Sequence, residues 1–213
     1  MYWLPLLLLA QSFPLTTTQG LKPNKTTVTP VEHQMLKGIR VTGNGAPSND
    51  EDRLVVIDGV KMQNGTIELE LAGAPGAGAG GGARGFTGIA FRLAPDLSSY
   101  EAFYVRPTNG RADDQVRRNH SVQYISYPEF PWHRLRKEFP EMYESYVDLQ
   151  PAVWTKVRIT IDGPKARLFV HGNEQPTLIV NDLKHSPSSG GIALWIGPGT
   201  EAHFRNLRVT VKD

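Results

Sequence analysis

The chain has 213 residues, of which 39% are hydrophobic and 21% charged, an ordinary globular composition with enough apolar surface for one domain to build its own core. The 23 basic and 21 acidic residues nearly cancel, giving a formal net charge of +2, so the chain lacks the basic excess of a nucleic-acid binder. It has no cysteine, which excludes disulfides, thiolate metal sites and a cysteine nucleophile.

The apolar run within Met1–Ala10 has the length of a signal-peptide core and is too short to span a bilayer as a helix. It predicts a leader over residues 1–20 and a secreted or periplasmic protein. The Thr-, Pro-, Asn- and Lys-rich stretch that follows predicts a flexible linker over residues 21–34, leaving residues 35–213 as a single domain.

From there the hydrophobic period is two, the period of strands. Ile67, Leu69 and Leu71 alternate with Glu68 and Glu70; Ile89, Phe91 and Leu93 with Ala90 and Arg92. Val157–Ile161, Ala166–Val170 and Leu207–Val211 alternate in the same way, and Leu54–Ile57 and Ile192–Ile196 are shorter runs suited to buried strands. Turn residues separate them. Asp162-Gly163-Pro164 predicts a hairpin, and Asn64-Gly65, Asn109-Gly110, Gly172-Asn173 and Ser189-Gly190-Gly191 mark further turns. Many short strands with such turns make an all-β sandwich or barrel. The one helical candidate, Arg134–Tyr146, is cut by Pro140.

Ala72–Gly85 is glycine-rich, and Gly76, Gly78 and Gly81 match G-x-G-x-x-G. A dinucleotide site needs a helix after that turn, whereas Phe86–Leu93 reads as a strand, so the segment predicts a mobile hairpin loop.

Residues 106–148 break the strand rhythm and form a long insertion, the place in a compact domain where function concentrates. It is rich in aromatics, interleaved with Arg, His, Asn and Asp. Aromatic faces pack on the C–H faces of sugar rings, and planar polar groups meet the hydroxyls. The candidate ligand-binding residues are Arg106, Asn119, Tyr127, Trp132, His133 and Arg134. Trp132 stands out because Pro131 before it and His133-Arg134 after it predict an exposed turn. The catalytic candidates are His120, Asp113 and Asp114, with no spacing that makes them a pair. Glu68 and Glu70 share one strand face but lack the E-x-D-x-x-E pattern of laminarinase-type sandwich enzymes. The basic residues Arg117, Arg118, Arg134, Arg136 and Lys137 are interspersed with acids and read as a solvated or salt-bridged surface. His33, His171, His185 and His203 read as surface or turn positions.

The succession GTIELEL, GFTGIAFR, YEAFYVRP, WTKVRITIDGPKARLFV, GGIALWIG and FRNLRV resembles the concanavalin A-like lectin/glucanase superfamily. Within it the chain is most similar to exported bacterial domains related to the 3-keto-disaccharide hydrolase domain family and to laminin-G-like domains. The resemblance covers roughly residues 50–213. It implies a jelly roll of two antiparallel sheets with a carbohydrate ligand on the concave sheet or its rim. Where the hydrolase relatives carry N-S-G-I this chain has Phe86-Thr87-Gly88-Ile89, without the Asn and Ser.

The leading expectation is an exported carbohydrate-binding module; the rivals are a glycoside hydrolase of the keto-disaccharide type and a laminin-G-like protein-interaction domain. No cofactor or protein-bound metal is implied by any motif, and a structural calcium held by scattered oxygens would leave no local pattern. The partners expected are a carbohydrate, with neither nucleic acid nor a transmembrane segment; the oligomeric state leaves no sequence signal.

Overall fold

The computed structural model describes residues 9–44 and 53–212. The strands are, in chain order, β1 (Leu9–Phe13), β2 (Leu21–Asn24), β3 (Thr26–His33), β4 (Leu36–Gly43), β5 (Arg53–Met62), β6 (Asn64–Pro75), β7 (Thr87–Leu93) and β8 (Tyr100–Val105). Then come β9 (Val122–Tyr127), β10 (Glu144–Ser145), β11 (Thr155–Asp162), β12 (Lys165–Val170), β13 (Leu178–Val180), β14 (Gly190–Ile196) and β15 (Thr200–Lys212). Two short helices, α1 (Gln115–Asn119) and α2 (Trp132–Glu138), flank β9.

The strands make two antiparallel sheets. The back sheet runs β13-β12-β11-β6-β15-β4-β3, with β1 lying along the far half of β15; the front sheet runs β10-β9-β8-β7-β14-β5-β2. The predicted alternation is the reason the back sheet forms. In β11 Val157, Ile159 and Ile161 are buried while Lys156, Arg158 and Thr160 face outward, and in β6 Ile67, Leu69 and Leu71 repeat the pattern. The hairpin at Gly163-Pro164 closes with Asp162 opposite Lys165, and Gly163 takes the positive φ of 54° that a tight turn needs.

Two expectations need correction, and a third lies partly outside the described residues. Residues 21–34 are not a linker: β2 pairs with β5 and β3 with β4, burying Thr26, whose hydroxyl donates to the Leu54 carbonyl at 3.0 Å. The strand pattern escaped notice because the two segments carry prolines, Pro23 and Pro30, and lie at the ends of their sheets, where a missing N–H is tolerated. The apolar run read as a leader lies, through residue 8, outside the described residues; Leu9–Phe13 pairs with β15. The glycine-rich segment is not a hairpin either, since β6 belongs to the back sheet and β7 to the front, and the segment crosses between them.

The insertion at 106–148 is folded rather than loose. It contributes β9 and β10 to the edge of the front sheet, and carries α1 and α2 over its outer face. Asp114 caps α1 by accepting from the Arg117 N–H at 3.0 Å, and α2 begins after Pro131 and stops before Pro140. Among the described residues no helix is long and apolar enough to cross a membrane.

Candidate functional site

The front sheet is buried on both faces across β7, β8 and β9. Every residue of β7 and β8 is buried, as are five of the six in β9. One face packs on the back sheet through Ile89, Phe91, Phe103 and Tyr124. The other is covered by the insertion and the glycine-rich crossing, which leave between them an open cleft of about 870 Å³.

Its floor follows from register. Tyr104 lies opposite Gly88, and Gly88 opposite Trp195. With no side chain between them, Tyr104 and Trp195 stack across the glycine, ring centroids 4.6 Å apart. A Cβ on Gly88 would stand 2.2 Å from the Phe103 carbonyl oxygen and 2.5 Å from the Tyr104 Cβ, so only glycine fits. The aromatic strip continues in both directions: Phe86 meets Tyr104 edge-on at 6.1 Å, the Trp195 indole donates to the Tyr100 hydroxyl at 3.2 Å, and Tyr100 stacks on Tyr127 at 5.1 Å. Trp132, the first residue of α2, lines the cleft and is 45% exposed, with the Arg136 guanidinium 4.8 Å from its ring centroid.

One end of the floor is polar, organised around Arg106. Arg106 donates to the His120 carbonyl (3.0 Å), Glu144 Oε1 (3.1 Å), the Tyr104 hydroxyl (2.9 Å) and Gln123 Oε1 (3.0 Å). Arg136 grips the same carboxylate, donating through Nε to Glu144 Oε2 at 2.8 Å and through its other fork to Oε1. Burial alone would raise the Glu144 carboxyl, but the Arg136 hydrogen bonds and the charges of both arginines hold it below its ordinary value. His120 sits 3.6 Å from Glu144; burial outweighs that carboxylate and pulls the imidazole down, so it is neutral at pH 7.

The candidate residues divide. Arg106, His120, Tyr127, Trp132 and His133 line the cleft. Asn119, Arg134, Asp113 and Asp114 do not, and three of them are spent on local structure. Asn119 accepts from Gln115 at 2.7 Å, Arg134 holds Glu138 at 2.9 Å and the Glu129 carbonyl at 2.7 Å, and Asp114 caps α1. Asp113 is exposed beside that cap. The basic cluster also divides: Arg118 and Arg134 make surface contacts with Tyr146 and Glu138, whereas Arg117 and Arg136 enter the cleft lining. Glu68 and Glu70 sit on the outer face of the back sheet, Glu70 against Arg205 at 3.6 Å, away from the site. Among the described residues no three His, Asp or Glu side chains gather as a metal site would require.

Sequence reasoning missed Tyr104, Trp195, Phe86, Arg84, Asn109 and Glu144. For Tyr104 a signal existed: YEAFYVR is apolar or aromatic in both phases of the strand, which one buried face does not require. Glu144 carries no such mark, because its partners come from β8 and α2.

Neither a protein-family model nor a curated protein matches the sequence. Solved structures do match in shape. The carbohydrate binding module CBM66 of Bacillus subtilis superposes with a TM-score of 0.59 at 14% identity, over 89% of this chain and 95% of that one. A Bacillus subtilis protein of unknown function with a galectin-like fold gives 0.63 at 10% identity, over 95% and 96%. The Bacillus licheniformis beta-glucanase gives 0.54 at 13% identity, over 95% and 98%. At such identities the likeness is one of fold, and the fold is the concanavalin A-like jelly-roll sandwich that the succession of strands implied.

Proposed function

We propose that the chain is a carbohydrate-binding module that holds a glycan in the cleft on the outer face of the front sheet, without cleaving it. The observation that carries this reading is the composition of the cleft: an aromatic strip and the exposed Trp132 beside fixed donors, with no aspartate or glutamate among its lining residues. Glycoside hydrolysis ordinarily needs two carboxylates about 5–10 Å apart, one of them free to take up and give a proton. Glu144, at the polar end of the floor, is neutralised by two arginines and unavailable for that role. The module named CBM66 shares the fold, and so does a glucanase, so the fold is neutral between binding and cleavage and the cleft residues favour binding. Location outside the cytoplasm belongs to the same proposal and rests on the apolar run at the N-terminus.

A glycan-array screen of the full chain, followed by product analysis of each bound sugar, tests the reading. Binding with intact sugars is expected, weakened about tenfold by Trp132→Ala through loss of one stacking face. Cleaved products would overturn it in favour of the hydrolase and direct mutagenesis to His120, the one of the three catalytic candidates that lines the cleft.

A further inference from the structure

Four arginines line the cleft, and they arrive from four different places: Arg84 from the glycine-rich crossing, Arg106 from the end of β8, Arg117 from α1 and Arg136 from α2. No acidic side chain lines it with them. Glu144 answers Arg106 and Arg136, and the next acid acting on the site, Glu141, reaches only as far as a charge effect on His120. Arg84 and Arg117 are different. Arg84 donates one terminal nitrogen to the Gly81 and Ala83 carbonyls, at 2.7 and 2.9 Å, which fixes the guanidinium without neutralising it. The Arg117 Nε is buried and has no partner. Among the described residues neither is ion-paired. Burial, with Arg117 and Arg106 as like charges nearby, pulls the Arg84 guanidinium below its ordinary value, the mark of a cation held where a counter-charge is missing.

A second feature narrows the ligand. Asn109 is buried at 4% exposure in the cleft lining. Its amide nitrogen donates to the His120 carbonyl at 3.1 Å, which fixes the orientation, and its Oδ1 has no partner. A buried acceptor left so calls for a donor from the ligand, and an anion alone has none to give. The aromatic strip adds an apolar ring face. Anion, hydroxyl donor and ring face together describe one class of molecule.

We propose, resting on the reading of the cleft as a glycan site, that its ligand is an acidic oligosaccharide whose carboxylate or sulfate lies between Arg84 and Arg117 while a hydroxyl donates to Asn109. Guanidinium forks match the two oxygens of either anion, which is why arginine rather than lysine serves here. All the lysines lie outside the cleft lining.

Titration calorimetry of the full chain tests this with four probes: a uronic-acid oligosaccharide, its carboxyl-reduced neutral counterpart, a sulfated oligosaccharide and inorganic sulfate. The uronate or the sulfated sugar is expected to bind at least tenfold more tightly than the neutral counterpart, and to weaken several-fold between about 50 mM and 500 mM salt. Whichever of the two binds better identifies the anion. Arg84→Gln and Arg117→Gln should each shrink the acidic-over-neutral preference about fivefold or more, with the melting temperature unchanged, because neither arginine supports another side chain. Equal binding of acidic and neutral sugars, insensitive to salt, would overturn the acidic ligand and leave the glycan reading standing. Binding of inorganic sulfate as tight as that of any sugar, or binding of none of the four, would overturn both.

Discussion

The outward faces of the two sheets obey different rules. On the back sheet the outer face is solvated and paired in charge: Glu68 lies opposite Arg158, Glu70 opposite Lys156 and Arg40 meets Glu201. These strands alternate buried and open positions, as a sheet with water on one side must. On the front sheet the outer face carries Tyr100, Tyr104, Trp195 and Tyr127 over glycine and alanine, and nearly all of it is covered. Both sheets bury their inner faces for the same reason. The difference between the outer faces marks where chain was inserted over a sheet, and with it where the cleft has walls as well as a floor.

The largest expected effect comes from the ion cluster that ties the insertion to that face. Glu144 is 3% exposed and Arg106 5%, so removing the carboxylate strands a buried guanidinium. Glu144→Ala is expected to cost about 3–5 kcal/mol in chemical denaturation. Glu70→Ala, which deletes a partly exposed pair 3.6 Å apart on the back sheet and a hydrogen bond from Asn206, should cost less, about 1 kcal/mol. Equal costs for the two would erase the contrast between a solvated face and a wired one.

A second contrast runs through β8 itself, whose outer face carries Tyr104 and whose inner face carries Glu101. Burial pushes the Glu101 carboxyl up to about 7, against hydrogen bonds from the Tyr124 hydroxyl and the His185 N–H and the charges of Arg92 and Lys184. Unfolded, the same carboxyl titrates near 4.5. The native state therefore holds its proton more tightly. The contribution of Glu101 to stability is complete below about pH 4.5 and is lost as pH rises to about 7, by at most about 3 kcal/mol. His120, His185 and His203, all pulled down chiefly by burial, act with the opposite sign, destabilising the fold as pH falls; His203 is brought to about 4. The readout is thus the difference between wild type and Glu101→Gln across pH 4.5–7, which should grow steadily in favour of the variant. A constant difference would mean that the Glu101 carboxyl titrates alike in the folded and the unfolded chain.

The back sheet was legible because its signal is local. Alternation in β6, β11, β12 and β15 and the Gly163-Pro164 turn each occupy a few consecutive residues, and one solvated face keeps the pattern clean. The jelly-roll order came from resemblance rather than from periodicity. The edge strands β2 and β3 were lost because prolines at a sheet edge look like a linker. At the site, Trp132 and Tyr127 were readable as aromatics in a long insertion, and Arg106 and His120 as polar residues within it. Arg84 and Trp195 were not, because they join the cleft from segments more than a hundred residues apart in sequence. Buried His203, stacked on His33 at 4.0 Å, escaped as a surface reading for the same reason: its partner comes from another strand.

Gly88 is where fold and site depend on one missing side chain, and it gives the subtlest break of the comparison. Gly88→Ala forces a Cβ into space occupied by the Phe103 carbonyl and Tyr104, and should cost about 1–3 kcal/mol, as overpacking does. The clashing atoms are backbone or Cβ, which no rotamer change moves, so β8 itself must shift from β7 and carry Tyr104 away from Trp195. That would also free its hydroxyl from Arg106, to which it now accepts at 2.9 Å. The substitution should therefore weaken glycan binding by more than its stability cost accounts for, in protein still fully folded at the assay temperature. Thr160→Ala, on the solvated face of β11, should change stability by less than about 0.5 kcal/mol and leave binding alone. If Gly88→Ala proved as silent as Thr160→Ala, the Tyr104–Trp195 stack would not be the floor on which ligand rests, and the site would have to lie on the rim formed by Trp132 and His133.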